Sequence, residues 1–203
     1  MRVSLTIQSV FFTAISSFAI SLLAVTSVNA QVPGDPYASE LAMIRPLIVS
    51  GNQKARNKNY DGAIADFTKA IELGQQLPDM LRAGPYINRG MAYADKGDLD
   101  AGLADLNKAI KLQSNNVYAL QDRGEIFRKR NEPDKAIADF NKAIKISAEF
   151  SPAYRSRGLV FLSQGKDAEA QADFDKFLKM VPGGKDSLDK QIADVKAKRT
   201  PKP

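Results

Sequence analysis

Three arginines, Arg89, Arg123 and Arg157, recur every 34 residues, and the aspartates Asp105, Asp139 and Asp173 keep the same step, with Asp66 before them. A row of guanidinium groups could hold an anionic ligand, and paired carboxylates could act as general acid and base. Lys69, Lys108, Lys142 and Lys176 stand one helical turn after the aspartates, and Arg128-Lys129-Arg130 is the densest basic patch. The periodicity argues against catalysis, because an active site is singular whereas a scaffold residue is copied with its repeat. The arginines and aspartates therefore read as a structural ladder. Each arginine is expected to pair with the aspartate one repeat back: Arg89 with Asp66, Arg123 with Asp105 and Arg157 with Asp139. A planar guanidinium suits such bidentate pairing. The lysines are expected on a solvated outer face.

The chain of 203 residues contains no histidine, cysteine or tryptophan. Without imidazole or thiolate, zinc, copper, haem and iron–sulfur sites lack their usual ligands. Ser-His-Asp and Cys-His catalysis lack a base for the same reason. Gly183-Gly184 is a helix-ending signal rather than a phosphate loop. The formal charge of +6 is only mildly basic. Nucleic-acid binding would interleave basic and stacking aromatic residues over a broad face, but here the aromatics fall in columns expected to be core. The expectation is no enzyme, no cofactor, no metal and no nucleic-acid partner.

Residues 1–30 differ from the rest. After Met1-Arg2 no charged residue occurs from Val3 to Gly34, and Phe11, Phe12, Ile15, Phe18, Ile20, Leu22, Leu23 and Val25 make the run apolar. Val28-Asn29-Ala30 supplies small residues before Gln31. This order marks a secretory signal peptide cleaved after Ala30. Serines, threonines and Gln8 dilute the run, which weighs against an uncleaved membrane anchor. The expected location is exported and periplasmic.

The elements that would position the recurring charges follow from the same period. Gly90, Gly124 and Gly158 are 34 residues apart, and Gly51 precedes Gly90 by 39, as if five residues were inserted around Gly74–Ala83. Tyr86/Gly90/Tyr93, Leu120/Gly124/Phe127 and Tyr154/Gly158/Phe161 each lie at i, i+4, i+7, one face of a helix. A glycine at a helix centre costs roughly 1 kcal/mol relative to alanine, so it implies close approach of a second helix. That helix follows a polar turn and buries Ala63/Phe67/Ala70, Gly102/Leu106/Ala109, Ala136/Phe140/Ala143 and Ala170/Phe174/Phe177, small and large residues nesting across the contact. Leu188, Ile192 and Val195 form one apolar face of a final helix.

The period, the helix–turn–helix unit, the central glycine, the aromatic three residues later and the alanine–aromatic–alanine triplet resemble the tetratricopeptide repeat (TPR). The tryptophan column instead holds Leu47, Tyr86, Leu120 and Tyr154, and Lys54 replaces the first aromatic. Pro46 is expected to interrupt the opening helix. The implied fold is all-α, an α-solenoid of about four repeats with a C-terminal capping helix. Its expected divisions are a signal peptide over 1–30, a linker and N-terminal cap over 31–43, and the array over 44–182. The copies fall at about 44–77, 83–116, 117–150 and 151–184, followed by a capping helix over 185–198 and a frayed tail over 199–203.

Such arrays generally serve as interaction modules whose first helices line a concave groove. By resemblance, the groove of this chain would present Ile87, Met91, Tyr118, Gln121, Glu125, Arg128, Arg155, Leu159 and Leu162 to a peptide. One subclass clamps chaperone C-terminal carboxylates. Only Asn52 and Asn88 fall where that clamp needs them, while Ile48, Tyr118 and Asp122 occupy its other places, so this clamp is not expected. The implied function is an exported scaffold that binds a peptide segment or protein of the cell envelope. The alternative is a membrane-anchored or self-assembling subunit of an envelope complex.

Overall fold

The computed structural model describes residues 36–199; the expected signal peptide and its cleavage site lie outside them. Among the described residues the protein is all-helical, with nine α-helices and no strand: α1 Ala38–Arg56, α2 Tyr60–Leu73, α3 Asp79–Lys96, α4 Leu99–Leu112, α5 Val117–Lys129, α6 Pro133–Ile146, α7 Ser151–Ser163, α8 Asp167–Met180 and α9 Lys185–Lys198. A 3₁₀ turn, Pro182–Gly184, joins the last two. Sequential helices pack as antiparallel neighbours, α1 on α2 through α7 on α8, as in TPR solenoids.

Local chemistry sets the helix boundaries. Asn59, Asp98 and Asn116 cap α2, α4 and α5 by accepting backbone N–H bonds at 3.0 Å. The turn inside each repeat carries one left-handed residue at the same register: Lys58 (φ 59°), Gly97 (φ 103°), Asn131 (φ 57°) and Gly165 (φ 76°). Contrary to the expectation drawn from Pro46, α1 runs through it without a break. Burial of Ile44 and Ile48 on either side holds the helix together where the proline removes one hydrogen bond.

The second-helix triplets are all buried as their spacing predicts, with Phe67, Leu106 and Phe140 fully shielded from solvent. The first-helix glycines admit these knobs. A methyl group at Gly51, Gly124 or Gly158 would lie 2.6, 2.5 or 2.6 Å from Cε1 of Phe67, Phe140 or Phe174. The close approach is therefore mainly to an aromatic ring edge rather than to a helix backbone. The second repeat differs because Leu106 replaces the aromatic. There a methyl at Gly102 would meet the Gly90 carbonyl oxygen at 2.8 Å, so the two backbones touch directly.

The arginine ladder exists, in a register different from the expected one. Arg89, Arg123 and Arg157 pair with Asp105, Asp139 and Asp173 of their own repeats, each through Nε and Nη2 at 2.6–2.8 Å. The physical reason is the hairpin: sixteen residues on, the aspartate of the antiparallel second helix faces the arginine of the first. Asp66, left without an arginine, takes Lys54 at 2.7 Å. Each guanidinium reaches across the repeat boundary with Nη1, to the neutral oxygens of Thr68, Asn107 and Asn141. Aromatic faces flank it, Tyr86 and Tyr93 around Arg89, Tyr154 and Phe161 around Arg157.

At the C-terminal end, Leu188 is 1% exposed and joins Leu159, Leu162, Phe174 and Phe177 in one cluster, with Ile192 and Val195 against it. Arg199, expected in a frayed tail, instead holds Asp167 at 2.6 Å and ties the end of α9 to the turn of the fourth repeat.

Candidate peptide groove

Helices α1, α3, α5 and α7 carry the residues that the repeat register assigns to the concave face. The structure divides them into three zones. In the middle, α5 and α7 form a polar network: Gln121 donates from Nε2 to the Ser156 hydroxyl at 2.8 Å, and that hydroxyl donates to Glu125 Oε1 at 2.5 Å. Glu125 also accepts from Arg128 Nε at 2.8 Å. Gln121 is 2% exposed and its Oε1 has no partner. It positions Glu125 more than it offers itself.

Beside this network lies Asp122, also buried. Burial pushes its carboxyl up to about 8, the negative charges of Glu125 and Asp95 add to the effect, and Lys129 opposes it. At neutral pH the group is therefore mostly protonated and uncharged. Arg155 is partly buried with its Cζ 5.8 Å from the Phe177 ring centre, and burial holds its guanidinium below the ordinary value. Its Nε has no partner. Tyr118 stands edge-on to Phe150 with ring centres 5.3 Å apart, and burial raises its phenol. Met91 is half-buried and Arg128 exposed.

Leu159 and Leu162, read from sequence as apolar anchors, are packed into the α9 cluster at 5% and 3% exposure. They form core at the array end.

Of the remaining positions, two come together at the opposite end. Ile87 and Tyr118 line a cavity of about 380 Å³ with Arg45, Ile48, Gly84, Asn88 and Asn116, closed by Leu41, Ile44, Leu77, Met80 and Leu81. The sequence reading missed these closing residues. Their signal was the 39-residue step between Gly51 and Gly90: the extra residues form the loop after α2 and a first turn of α3 that begins at Asp79, ahead of the repeat register. Among the described residues, no cluster of three or more carboxylates could hold a metal, and no helix is long and apolar enough to cross a membrane.

Helix pairing, glycine–aromatic nesting and groove together define a TPR-type solenoid. The family model described as tetratricopeptide repeat matches residues 87–153, which supports this assignment. Tetratricopeptide repeat protein 36 of Xenopus tropicalis is 34% identical over 87 residues, 43% of this chain and 41% of that protein. The chain spans less than half the length of the curated relatives it matches. A crystal structure of MamA aligns with a TM-score of 0.58 and 26% identity, covering 70% of this chain and 81% of that one. The first TPR of Spaghetti (RPAP3), bound to an HSP90 peptide, aligns with a TM-score of 0.52 and 22% identity over 59% of this chain and 98% of that one, a likeness of fold.

Proposed function

We propose that this protein is an exported TPR scaffold that binds a peptide segment or protein of the cell envelope in its concave groove, and that it has no catalytic role. The observation that carries the reading is the half-buried, partly apolar surface left along the groove: Met91, Tyr118 and Arg155 keep part of their surface open although they sit among buried neighbours. Tyrosine and arginine in such settings are enriched among residues that dominate binding. The RPAP3 domain of the same fold holds an HSP90 peptide. That particular ligand does not transfer, because Ile48, Tyr118 and Asp122 stand where a carboxylate clamp needs cations.

The test isolates partners from envelope extract with the purified protein, then measures the affinity of the recovered partner directly. Tyr118→Ala combined with Arg155→Ala should weaken it at least tenfold, about 1.4 kcal/mol, with an unchanged circular dichroism spectrum. Unaltered affinity would place the site elsewhere. Export rests on the uncharged run Val3–Gly34 and Val28-Asn29-Ala30. N-terminal sequencing of secreted protein should begin at Gln31, and retention of residues 1–30 would reverse this part.

A further inference from the structure

Antiparallel packing brings the ends of the even-numbered helices and the starts of the odd-numbered ones to one edge of the solenoid, opposite the turns inside the repeats. The two edges are chemically unlike. At the turns inside the repeats the charges are paired: Lys96 with Asp61 and Arg199 with Asp167, both at 2.6 Å, and Arg130 with Asp100 and Glu132. At the other edge the last two turns of α4, α6 and α8 carry Lys108 and Lys111, Lys142 and Lys145, Lys176 and Lys179, at the same register in each helix. All but the half-buried Lys108 are exposed, and none makes an ion pair among the described residues. The aspartates Asp105, Asp139 and Asp173 of these helices are taken by the ladder arginines. Asp175 accepts from Gln171 at 2.8 Å, and Glu149 follows α6. On α2 Glu72 holds the place of Lys111, so the basic stripe begins at α4.

The same edge carries exposed apolar side chains. Ile146, 41% exposed, ends α6 beside Lys145, and Met80, 68% exposed, stands in the first turn of α3. A helix macrodipole accounts for a lysine in a last turn, but not for an exposed isoleucine next to it. We infer that this edge docks the protein on an anionic phospholipid bilayer. The ammonium groups meet lipid phosphates, while the lysine stems and the aliphatic tips reach the acyl boundary. Nucleic acid fits less well, because among the described residues no aromatic side chain is exposed to stack on a base. Docking by this edge goes beyond the groove reading and involves none of the groove residues.

Flotation with vesicles tests this. The chain from Gln31 to Pro203, which holds α1 to α9 entire, is mixed with vesicles of pure phosphatidylcholine or of an equal mixture with phosphatidylglycerol. Binding should need the anionic lipid and weaken as salt is raised. Lys111→Gln, Lys145→Gln and Lys179→Gln together should weaken it about tenfold or more, and Ile146→Ser several-fold. Lys166→Gln, Lys196→Gln and Lys198→Gln remove the same charge at the opposite edge and should change it by less than about twofold. None of these lysines is buried or ion-paired, so circular dichroism spectra should match the parent's. A second measurement leaves the lysines intact. The chain has no cysteine, so Ile146→Cys and Asp134→Cys can each carry a polarity-sensitive dye. On mixed vesicles the dye at the end of α6 should brighten and the dye at its start should not. Equal binding to both vesicles, equal loss in the two triple variants, brightening at both positions, or a duplex oligonucleotide bound as tightly as mixed vesicles overturns the inference. Tyr118→Ala with Arg155→Ala should leave vesicle binding unchanged, so failure of the groove reading and failure of this one are told apart.

Discussion

Asp122 occupies a place where the neighbouring repeats put Asn88 and Ser156, and it is the acid whose environment most disfavours charge. Its folded value of about 8 lies above the ordinary 3.8, so the folded state keeps a proton that the unfolded chain gives up. The contribution to stability is therefore full below about pH 4 and is lost as pH rises toward 8. Asp122→Asn removes that loss. Urea unfolding at pH 9 should find the variant more stable than the parent by more than one pKa unit's equivalent, about 1.4 kcal/mol, with the gap closing by pH 4. A constant difference across this range would show that Asp122 is charged in the fold. The ladder arginines differ in kind, since each faces a carboxylate within its own hairpin.

In the first, third and fourth repeats the helix pair is locked by a ring edge set against a glycine. Phe140 is fully buried, and Gly124 leaves room for its Cε1 where a methyl would intrude to 2.5 Å. Gly124→Ala gains helix propensity of roughly 1 kcal/mol but overpacks the contact at a cost of about 1–3 kcal/mol. Denaturant unfolding should show net loss of stability. Phe140→Ala opens a cavity instead and should cost about 3–5 kcal/mol. If Gly124→Ala were stabilising, the ring would have room to move and the glycine would need another explanation. The helix faces were legible because residues at i, i+4, i+7 must share one side. The ladder register was not: the period places aspartates both before and after each arginine, and only the hairpin's antiparallel packing selects the one sixteen residues ahead.

Across the whole molecule the two ends are treated differently. At the C-terminal end, α9 covers Leu159, Leu162 and Phe177, which would otherwise face water. Ending the chain after Gly184 should expose them, lower stability by about 2–4 kcal/mol on the scale of one or two buried leucines, and promote self-association visible by light scattering. An unchanged, monomeric protein would mean that the cap contributes little. At the other end, among the described residues, the inserted turn rims a cavity rather than closing a core.

The sequence by itself determined the solenoid, its repeat unit, the buried triplets and the amphipathic final helix, because these depend on periodicity and on contacts between neighbours along the chain. Only the tertiary structure decided which groove residues remain open. Leu159 and Leu162 have the spacing of groove residues, yet α9 absorbs them. Gln121 has the same spacing, yet Ser156 and Glu125 engage it. Leu41, Met80 and Leu81 lie outside the repeat register and still close a cavity around Ile87 and Tyr118. Register states which side of a helix a residue occupies. What covers that side depends on segments joined through space, and those lie beyond the reach of a repeat pattern.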